Sequence, residues 1–272
     1  MKFVNLPIWA TSLLLSLLLI SCSEDHAPQA STKTYLLVHG ASHGAWAWKK
    51  VVPLLQAQGH RVVAIDLPGH GDDKTPAERV TLDDYVNKVV NVANAQAGPV
   101  ILVGHSAGGV SIAQAAERLE TGKVEKLIFL DAFLPKSGES VFSLAAKFLP
   151  PSTTGEPNFS DNFLFDPTGA TFTLDTARVA NFLYHDCSAA DVLFAKANLG
   201  RQPVAPFATP VQLTDTKYGT IPKYFIICSQ AKNGDMTAMA KNVVMNKVVT
   251  LSTSHSPFFS QPKALTELIL SF

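Results

Sequence analysis

The segment VILVGHSAGG, residues Val100–Gly109, decides the fold because it joins an apolar strand to a helix through the pattern G-x-S-x-G. The glycines at positions 104 and 108 allow a turn so tight that the side chain between them is pushed outward. Ser106 is therefore expected at the carboxyl end of a strand, above the free N–H groups that begin the next helix. This placement is typical of a catalytic nucleophile, and we predict that role for Ser106.

Strands and helices alternate on both sides of this segment. Further apolar runs predict strands at 34–38, 61–65, 124–130, 224–228 and 248–251. Segments whose apolar residues have helical spacing lie between several of these runs. Strands that are apolar on both faces indicate an α/β fold, with a mostly parallel central sheet and helices on both faces. The stretch from 133 to about 215 breaks the rhythm and is rich in Phe, Pro and Thr. We interpret it as a cap inserted over one end of the sheet.

The composition excludes several classes of protein. Of 272 residues, 47% are hydrophobic and 16% are charged, which is incompatible with a largely disordered chain. Lys+Arg and Asp+Glu both total 22, so the chain lacks the basic excess of a nucleic-acid-binding domain, and no nucleic-acid partner is expected. Three cysteines are too few for a disulfide scaffold.

The N-terminal residues have the pattern of an export signal. Lys2 precedes an apolar run at 8–20, which suits a secretory h-region and is short for a membrane span. The run ends in LISC at 19–22, which resembles the bacterial lipoprotein cleavage box. We therefore predict a lipoprotein signal peptide at 1–21, lipidation of Cys22, a flexible tether at 22–33 and one domain at 34–272. The protein is then expected in a bacterial cell envelope, lipid-anchored to the membrane on the periplasmic or cell-surface side.

Two more segments complete the predicted site. His39-Gly40-Ala41 follows the first strand of the domain, where the backbone N–H groups of Ala41 and Ala107 are expected to form an oxyanion hole. A general base is expected late in the chain, after an acid. His255 is the only histidine after His185, so we assign the base to His255.

Several segments are together more specific than G-x-S-x-G alone. They are HGASHGAW at 39–46, DLPGHG at 66–71, TLDDY at 81–85, DAFLP at 131–135, YHDCS at 184–188, IICS at 226–229 and HSP at 255–257. Through them the chain from Tyr35 to Phe272 resembles the plant methylesterase and hydroxynitrile lyase family of α/β-hydrolases, with its bacterial esterase relatives. The resemblance implies an α/β-hydrolase fold and serine-dependent hydrolysis of small hydrophobic carboxylic esters through an acyl-enzyme.

The chain departs from the lyases of that family at two positions. Those lyases carry a threonine directly after the first-strand histidine and a lysine directly after the catalytic histidine, where this chain has Gly40 and Ser256. Cyanohydrin cleavage needs a cation near the leaving cyanide, which a serine does not supply. The resemblance therefore favours ester hydrolysis, with the lyase reaction as an alternative.

The acid of the expected triad is a further departure. The family pattern places the aspartate where this chain has Ala231. Asp131, which ends the preceding strand, is the first candidate to replace it, and Asp235 in the altered loop is the second. A site without an acid is the third possibility, and it would also fit a non-catalytic member that binds a ligand.

The remaining features concern cofactors and specificity. No zinc-ligand spacing or phosphate loop is present, so no cofactor or metal is predicted. The phenylalanine-rich cap predicts an apolar pocket for a small-molecule ester. The five histidines from 39 to 105 are predicted to be structural, and nothing in the spacing of Cys187 and Cys228 demands a disulfide. The sequence does not fix an oligomeric state.

Overall fold

The computed structural model describes residues 1–3, 32–149, 160–232, 234 and 236–272. The predicted lipidation site Cys22, most of the predicted signal peptide and tether, and the candidate acid Asp235 lie outside the described residues. In the described part of the chain, no helix combines the length and the apolar character needed to cross a membrane.

The centre of the domain is a sheet of six strands, all of them parallel. Its strands are β1 (Thr34–Val38), β2 (Arg61–Ile65), β3 (Val100–His105), β4 (Val124–Leu130), β8 (Lys223–Cys228) and β9 (Lys247–Leu251). The strand order is β2-β1-β3-β4-β8-β9, so β3 lies between β1 and β4. This arrangement confirms the predicted α/β-hydrolase fold, and it brings the carboxyl ends of β1, β3, β4 and β8 to one edge of the sheet.

The strands are apolar because both faces of the sheet are covered. All six residues of β3 are buried, and the consecutive residues Leu36 and Leu37, which point to opposite faces, are both 0% exposed. Helices with apolar faces complete the layers. They are α1 (Val51–Ala57), α2 (Leu82–Asn94), α3 (Gly108–Arg118), α4 (Val141–Phe148), α5 (Val179–Leu183), α6 (Ala189–Asn198), α7 (Ala205–Ala208), α8 (Met236–Met239), α9 (Pro257–Ser260) and α10 (Pro262–Leu270).

Local sequence signals explain where several helices begin. Thr81 caps α2, since its side chain accepts a hydrogen bond from Asp84 N while the Asp84 carboxylate accepts one from Thr81 N. The helical spacing over 46–58 predicts one helix, but the structure has a 3₁₀ turn at Ala45–Trp48 followed by α1. Pro53 accounts for the break, because it lacks the N–H that a continuous helix needs there.

The region between β4 and β8 contains a small antiparallel sheet that the sequence does not predict. Its strands are β5 (Phe163–Phe165), β6 (Thr171–Leu174) and β7 (Gln202–Pro203). Strands of two to four residues are too short for a recognisable alternation of apolar and polar side chains. Packing stabilises them instead, as in the stacking of Phe163 on Phe172 with ring centroids 4.3 Å apart.

Candidate active site

Ser106 lies at the turn between β3 and α3 with a φ of 52°, in the left-handed region that only glycine adopts easily. Hydrogen bonds from Ser106 N to Leu130 O (3.2 Å) and from Phe133 N to Ser106 O (3.0 Å) hold the turn. A Cβ atom at Gly108 would lie 2.6 Å from His39 O, so no other residue fits there. The surrounding structure thus keeps a strained serine at the carboxyl edge of the sheet, as at many functional sites.

Asp131 and His255 form a buried pair at the same edge. Nδ1 of His255 donates a hydrogen bond to Oδ2 of Asp131 at 2.6 Å, and the two residues are 3% and 0% exposed. The other carboxylate oxygen, Oδ1, accepts a hydrogen bond from the backbone N–H of Cys228 at 3.0 Å. In a neutral imidazole, a proton on Nδ1 means that Nε2 can accept a hydrogen bond, and His255 lines the same pocket as Ser106.

The structure brings one of the candidate acids into contact with the histidine. Asp131 contacts His255, Ala231 has no carboxylate, and Asp235 lies outside the described residues. Asp131 follows β4 and His255 follows β9, and both strands run parallel to β8, which lies between them. The two residues therefore lie at the same carboxyl edge of the sheet, where their side chains meet. Three of the predicted site residues, Ser106, Asp131 and His255, therefore meet at one edge.

Residues 39–44, the oxyanion loop, run from β1 past Ser106. A Cβ atom at Gly40 would lie 2.7 Å from Cβ of Ser106 and 2.8 Å from Nδ1 of His105, so the loop approaches this closely only with glycine. Ala41 in the loop and Ala107 at the N-cap of α3 line a common cavity of about 10 Å³. Ala41 also lines the pocket that contains Ser106, and Ala107 follows Ser106 directly in the chain.

Buried histidines hold the chain around the site. Nδ1 of His43 donates to Ala41 O at 2.6 Å, and its Nε2 accepts from the Tyr184 hydroxyl at 2.6 Å. Burial lowers the pKa of His43 to about 4, so its ring is neutral at pH 7. His105 Nε2 donates to the carbonyl oxygen of His255 at 2.9 Å, and burial also lowers the pKa of His105. The sequence carries no signal for these contacts, because the His105 partner is 150 residues away.

The pocket that contains Ser106 and His255 is narrow and apolar. Its cavity of about 20 Å³ holds roughly one water molecule. The cap supplies four of the apolar side chains that line it, which are Phe163, Leu174, Phe182 and Leu183. Among the described residues that line it, none is a lysine or an arginine. Within the described ranges, no group of three or more His, Cys, Asp or Glu residues could hold a metal ion.

The fold and this edge of the sheet define an α/β hydrolase. The family model described as "Alpha/beta hydrolase family" matches residues 35–268. The chain belongs to that family, and the prediction that it is a hydrolase is confirmed at this level.

Relatives with more specific names support an esterase in the broad sense. Methylesterase 1 of Arabidopsis thaliana is 30% identical over 87% of this chain and 94% of its own length. The alpha-hydroxynitrile lyase of the same plant is 32% identical over 73% of this chain and 79% of its own. A longer relative from the same plant, putative methylesterase 11 (chloroplastic), is 32% identical, and the chain spans 63% of its length. Among solved structures, a pyrethroid hydrolase from Sphingobium faniae has a TM-score of 0.78 and 28% identity, covering 89% of this chain and 97% of its own.

Proposed function

We propose that the protein is a serine-dependent carboxylic ester hydrolase in which Ser106 is the nucleophile, His255 the general base and Asp131 the acid that orients the base. The observation that carries this proposal is the 2.6 Å hydrogen bond from His255 Nδ1 to Asp131 Oδ2. An imidazole held in this tautomer presents its unprotonated Nε2 as a base. The strained, outward-facing position of Ser106 in the same pocket supports the role of nucleophile.

The reaction follows from these groups. Ser106 Oγ attacks the ester carbonyl carbon while His255 Nε2 takes the serine proton, and the carbonyl oxygen becomes an oxyanion. The backbone N–H groups of Ala41 and Ala107 stabilise that charge, each contributing about 3 to 4 kcal/mol to lowering the barrier. The imidazolium, stabilised by Asp131, protonates the leaving alcohol. Water activated by His255 then releases the acid from the acyl-enzyme and restores Ser106.

The proposed substrates are small, uncharged and apolar esters. Their support is the apolar lining from the cap and the lack of lysine and arginine among the residues that line the pocket. The same lining argues against the lyase reaction, because none of the described residues that line the pocket is a lysine or an arginine that could stabilise a leaving cyanide. Ser256, at the position of the lyase lysine, is buried and neutral.

The first experiment labels the purified domain, residues 32–272, with a fluorophosphonate probe, and in parallel measures hydrolysis of 4-nitrophenyl acetate and butyrate. The parent should be labelled and should hydrolyse both esters, because the probe reacts only with a serine activated by its histidine. Ser106→Ala should lose both signals. Ser271→Ala, at an exposed serine after α10, is the control and should keep them.

Two results would contradict the proposal. A folded parent that neither reacts with the probe nor hydrolyses either ester would favour the ligand-binding alternative. Release of cyanide from an aryl cyanohydrin, without ester hydrolysis, would favour the lyase.

We also propose that Cys22 is lipidated and anchors the protein in a bacterial envelope. The support is the order of Lys2, the apolar run at 8–20 and the pair Ser21-Cys22. The full chain, expressed in a bacterium fed with an alkyne-tagged palmitate, should take up the tag. Cys22→Ala should abolish the uptake and Cys187→Ala should not. An untagged parent would overturn the anchor without affecting the proposal about the ester hydrolase.

A further inference from the structure

One stretch of the cap, residues 184–202, forms hydrogen bonds with two loops of the proposed site. The first is the oxyanion loop, residues 39–44. The second is the histidine loop, residues 252–256, which lies between β9 and α9 and carries His255. None of the cap residues that make these bonds belongs to the proposed triad, so the proposed reaction leaves them without a role.

The oxyanion loop is held by the cap at two adjacent residues. The Tyr184 hydroxyl donates to Nε2 of His43 at 2.6 Å, and Nδ1 of the same ring donates to Ala41 O at 2.6 Å. At Ser42, the backbone N–H donates to Gln202 Oε1 at 2.9 Å, and the carbonyl oxygen accepts from Gly200 N at 2.9 Å. Both backbone polar groups of Ser42 are therefore satisfied by the cap.

Ser42 needs such support because its φ is 60°, in the left-handed region. Holding a residue other than glycine there costs about 1 to 2 kcal/mol, so a loop without its partners relaxes towards ordinary backbone angles. Ser42 follows Ala41 directly, and the relaxation would move the backbone N–H of Ala41 away from the developing oxyanion. The two hydrogen bonds at Ser42 therefore oppose the movement of the Ala41 N–H away from the oxyanion.

Gln202 is itself held in a single orientation. Its Oε1 also accepts from His70 Nε2 at 3.0 Å, while its Nε2 donates to the Tyr85 hydroxyl at 3.1 Å. The side chain is 1% exposed, so no water competes for these partners. The amide oxygen has no freedom to turn away from Ser42 N.

The histidine loop is held by one carboxylate of the same stretch. Oδ2 of Asp186 accepts hydrogen bonds from Ser254 N at 2.9 Å and from the Thr253 hydroxyl at 2.8 Å. Burial raises the pKa of Asp186, but the hydrogen bonds from Ser254 and Thr253 outweigh it and lower the pKa overall. The carboxylate therefore stays ionised at neutral pH and fixes the two residues that precede His255.

We propose that Tyr184, Asp186 and Gln202 are positioning residues through which the cap aligns the oxyanion loop with the histidine loop. Tyr184 and Gln202 place the backbone N–H of Ala41, and Asp186 places the ring of His255. The proposal rests on the proposed function, since it assigns these three residues to the same ester hydrolysis. It makes the cap a support for the catalytic geometry in addition to a wall of the substrate pocket.

The test compares Tyr184→Phe, Gln202→Met and Asp186→Ala with the parent, using 4-nitrophenyl butyrate. Each variant should lower kcat by about 10- to 100-fold, because a displacement of about 1 Å costs up to ~100-fold in rate. KM should stay within about 2-fold for Tyr184→Phe and Asp186→Ala, since neither residue lines the pocket with Ser106 and His255 or the cavity with Ala41 and Ala107. Gln202 lines the second of these cavities, so Gln202→Met is judged on kcat and on hydrogen exchange. Unequal effects on kcat and KM distinguish positioning from a change in substrate binding.

Two matched variants serve as controls. Tyr218→Phe removes the hydroxyl of another buried tyrosine. That hydroxyl has no hydrogen-bond partner among the described residues. It should leave kcat unchanged. Asp186→Asn retains an oxygen that can accept both hydrogen bonds now made by Oδ2, so it should recover most of the rate lost in Asp186→Ala.

Amide hydrogen exchange supplies a second readout that does not depend on activity. Tyr184→Phe and Gln202→Met should speed exchange in the oxyanion loop, and Asp186→Ala should speed it in the histidine loop. The positioning role is overturned if the three variants match Tyr218→Phe in both kcat and exchange. It is also overturned if exchange rises throughout the domain, because the loss would then be general instability. If the parent hydrolyses no ester, the proposed function fails. Hydrogen exchange still tests the contacts in that case, because faster exchange confined to the two loops shows that the cap holds them and unchanged exchange shows that it does not.

Discussion

Asp131, the residue directly after β4, accepts a hydrogen bond from His255 at 2.6 Å although the two residues are 124 positions apart. The family pattern would place this carboxylate at 231, after β8, where the chain has alanine. Because β4 and β8 are parallel neighbours, a carboxylate after either strand reaches the same edge of the sheet. The pair thus supports the proposal that the acid comes from the strand next to β8.

Asp131→Asn is expected to lower kcat by about 10³- to 10⁴-fold, because the amide no longer holds His255 in the productive tautomer or stabilises the imidazolium. Stopped assays with 4-nitrophenyl butyrate would measure the loss. Asp83→Asn, at an exposed aspartate paired with Arg118, is the control and should keep full activity. Equal activity of the Asp131 variant and the parent would show that Asp131 is not the acid.

Gly40→Thr is expected to abolish ester hydrolysis, since its Cβ would lie 2.7 Å from Cβ of Ser106 and 2.8 Å from His105 Nδ1. The loop would have to move, and the N–H of Ala41 with it. Gly98→Thr is a matched control, because a Cβ there meets nothing within 4 Å. Labelling by the fluorophosphonate probe reports both results, and an active Gly40→Thr would contradict the close packing.

Stability should fall as pH drops from about 6.5 towards 4. Burial lowers the pKa of His43 to about 4 from its usual 6.5, and it also lowers the pKa of His39, His70 and His105. In this window the unfolded chain binds a proton at His43 that the folded chain does not, so His43 reduces the free energy of unfolding by up to about 1.4 kcal/mol per pH unit. The other three histidines act in the same direction.

Urea unfolding measured between pH 4 and 8 would test this. His43→Gln should reduce the slope by up to about one proton, whereas His185→Gln, at an exposed position, should not change it. The aspartates and glutamates with lowered pKa values stabilise the folded chain above about pH 4.5 and lose this stabilisation as the pH falls further. Their effect on the free energy of unfolding therefore lies mostly below the range in which the histidines act. A stability that does not change between pH 6.5 and 4.5 would contradict the prediction.

Leu174→Ala should widen the pocket and shift the preference towards larger esters. Leu174 is 6% exposed and lines the cavity with Ser106, so its truncation adds space next to the nucleophile. The ratio of kcat/KM for a benzoate ester to that for an acetate ester should rise, at a stability cost of about 2 to 5 kcal/mol. Leu193→Ala removes an exposed cap leucine and should leave the ratio unchanged.

The parts of the fold that rest on local signals were predictable. The apolar run, the two glycines and the serine of VILVGHSAGG predict β3, the turn and α3, and the structure has all three. The cap sheet was not predictable, because Phe163 and Leu174 pair only through the fold. The spacing of residues along the chain could not decide whether Asp131, Asp235 or no residue is the acid, since contact with His255 depends on which strands are neighbours.

Among the described residues, the only non-glycine residues with a left-handed φ are Ser42, Ser106 and Asp131. Each follows a different strand, and each stands beside a group of the proposed reaction. Glycine would adopt these angles without strain, but at positions 106 and 131 it would remove the side chains that the proposed reaction uses. The strain at this edge of the sheet is therefore part of the proposed site, and stabilising substitutions should be sought away from it.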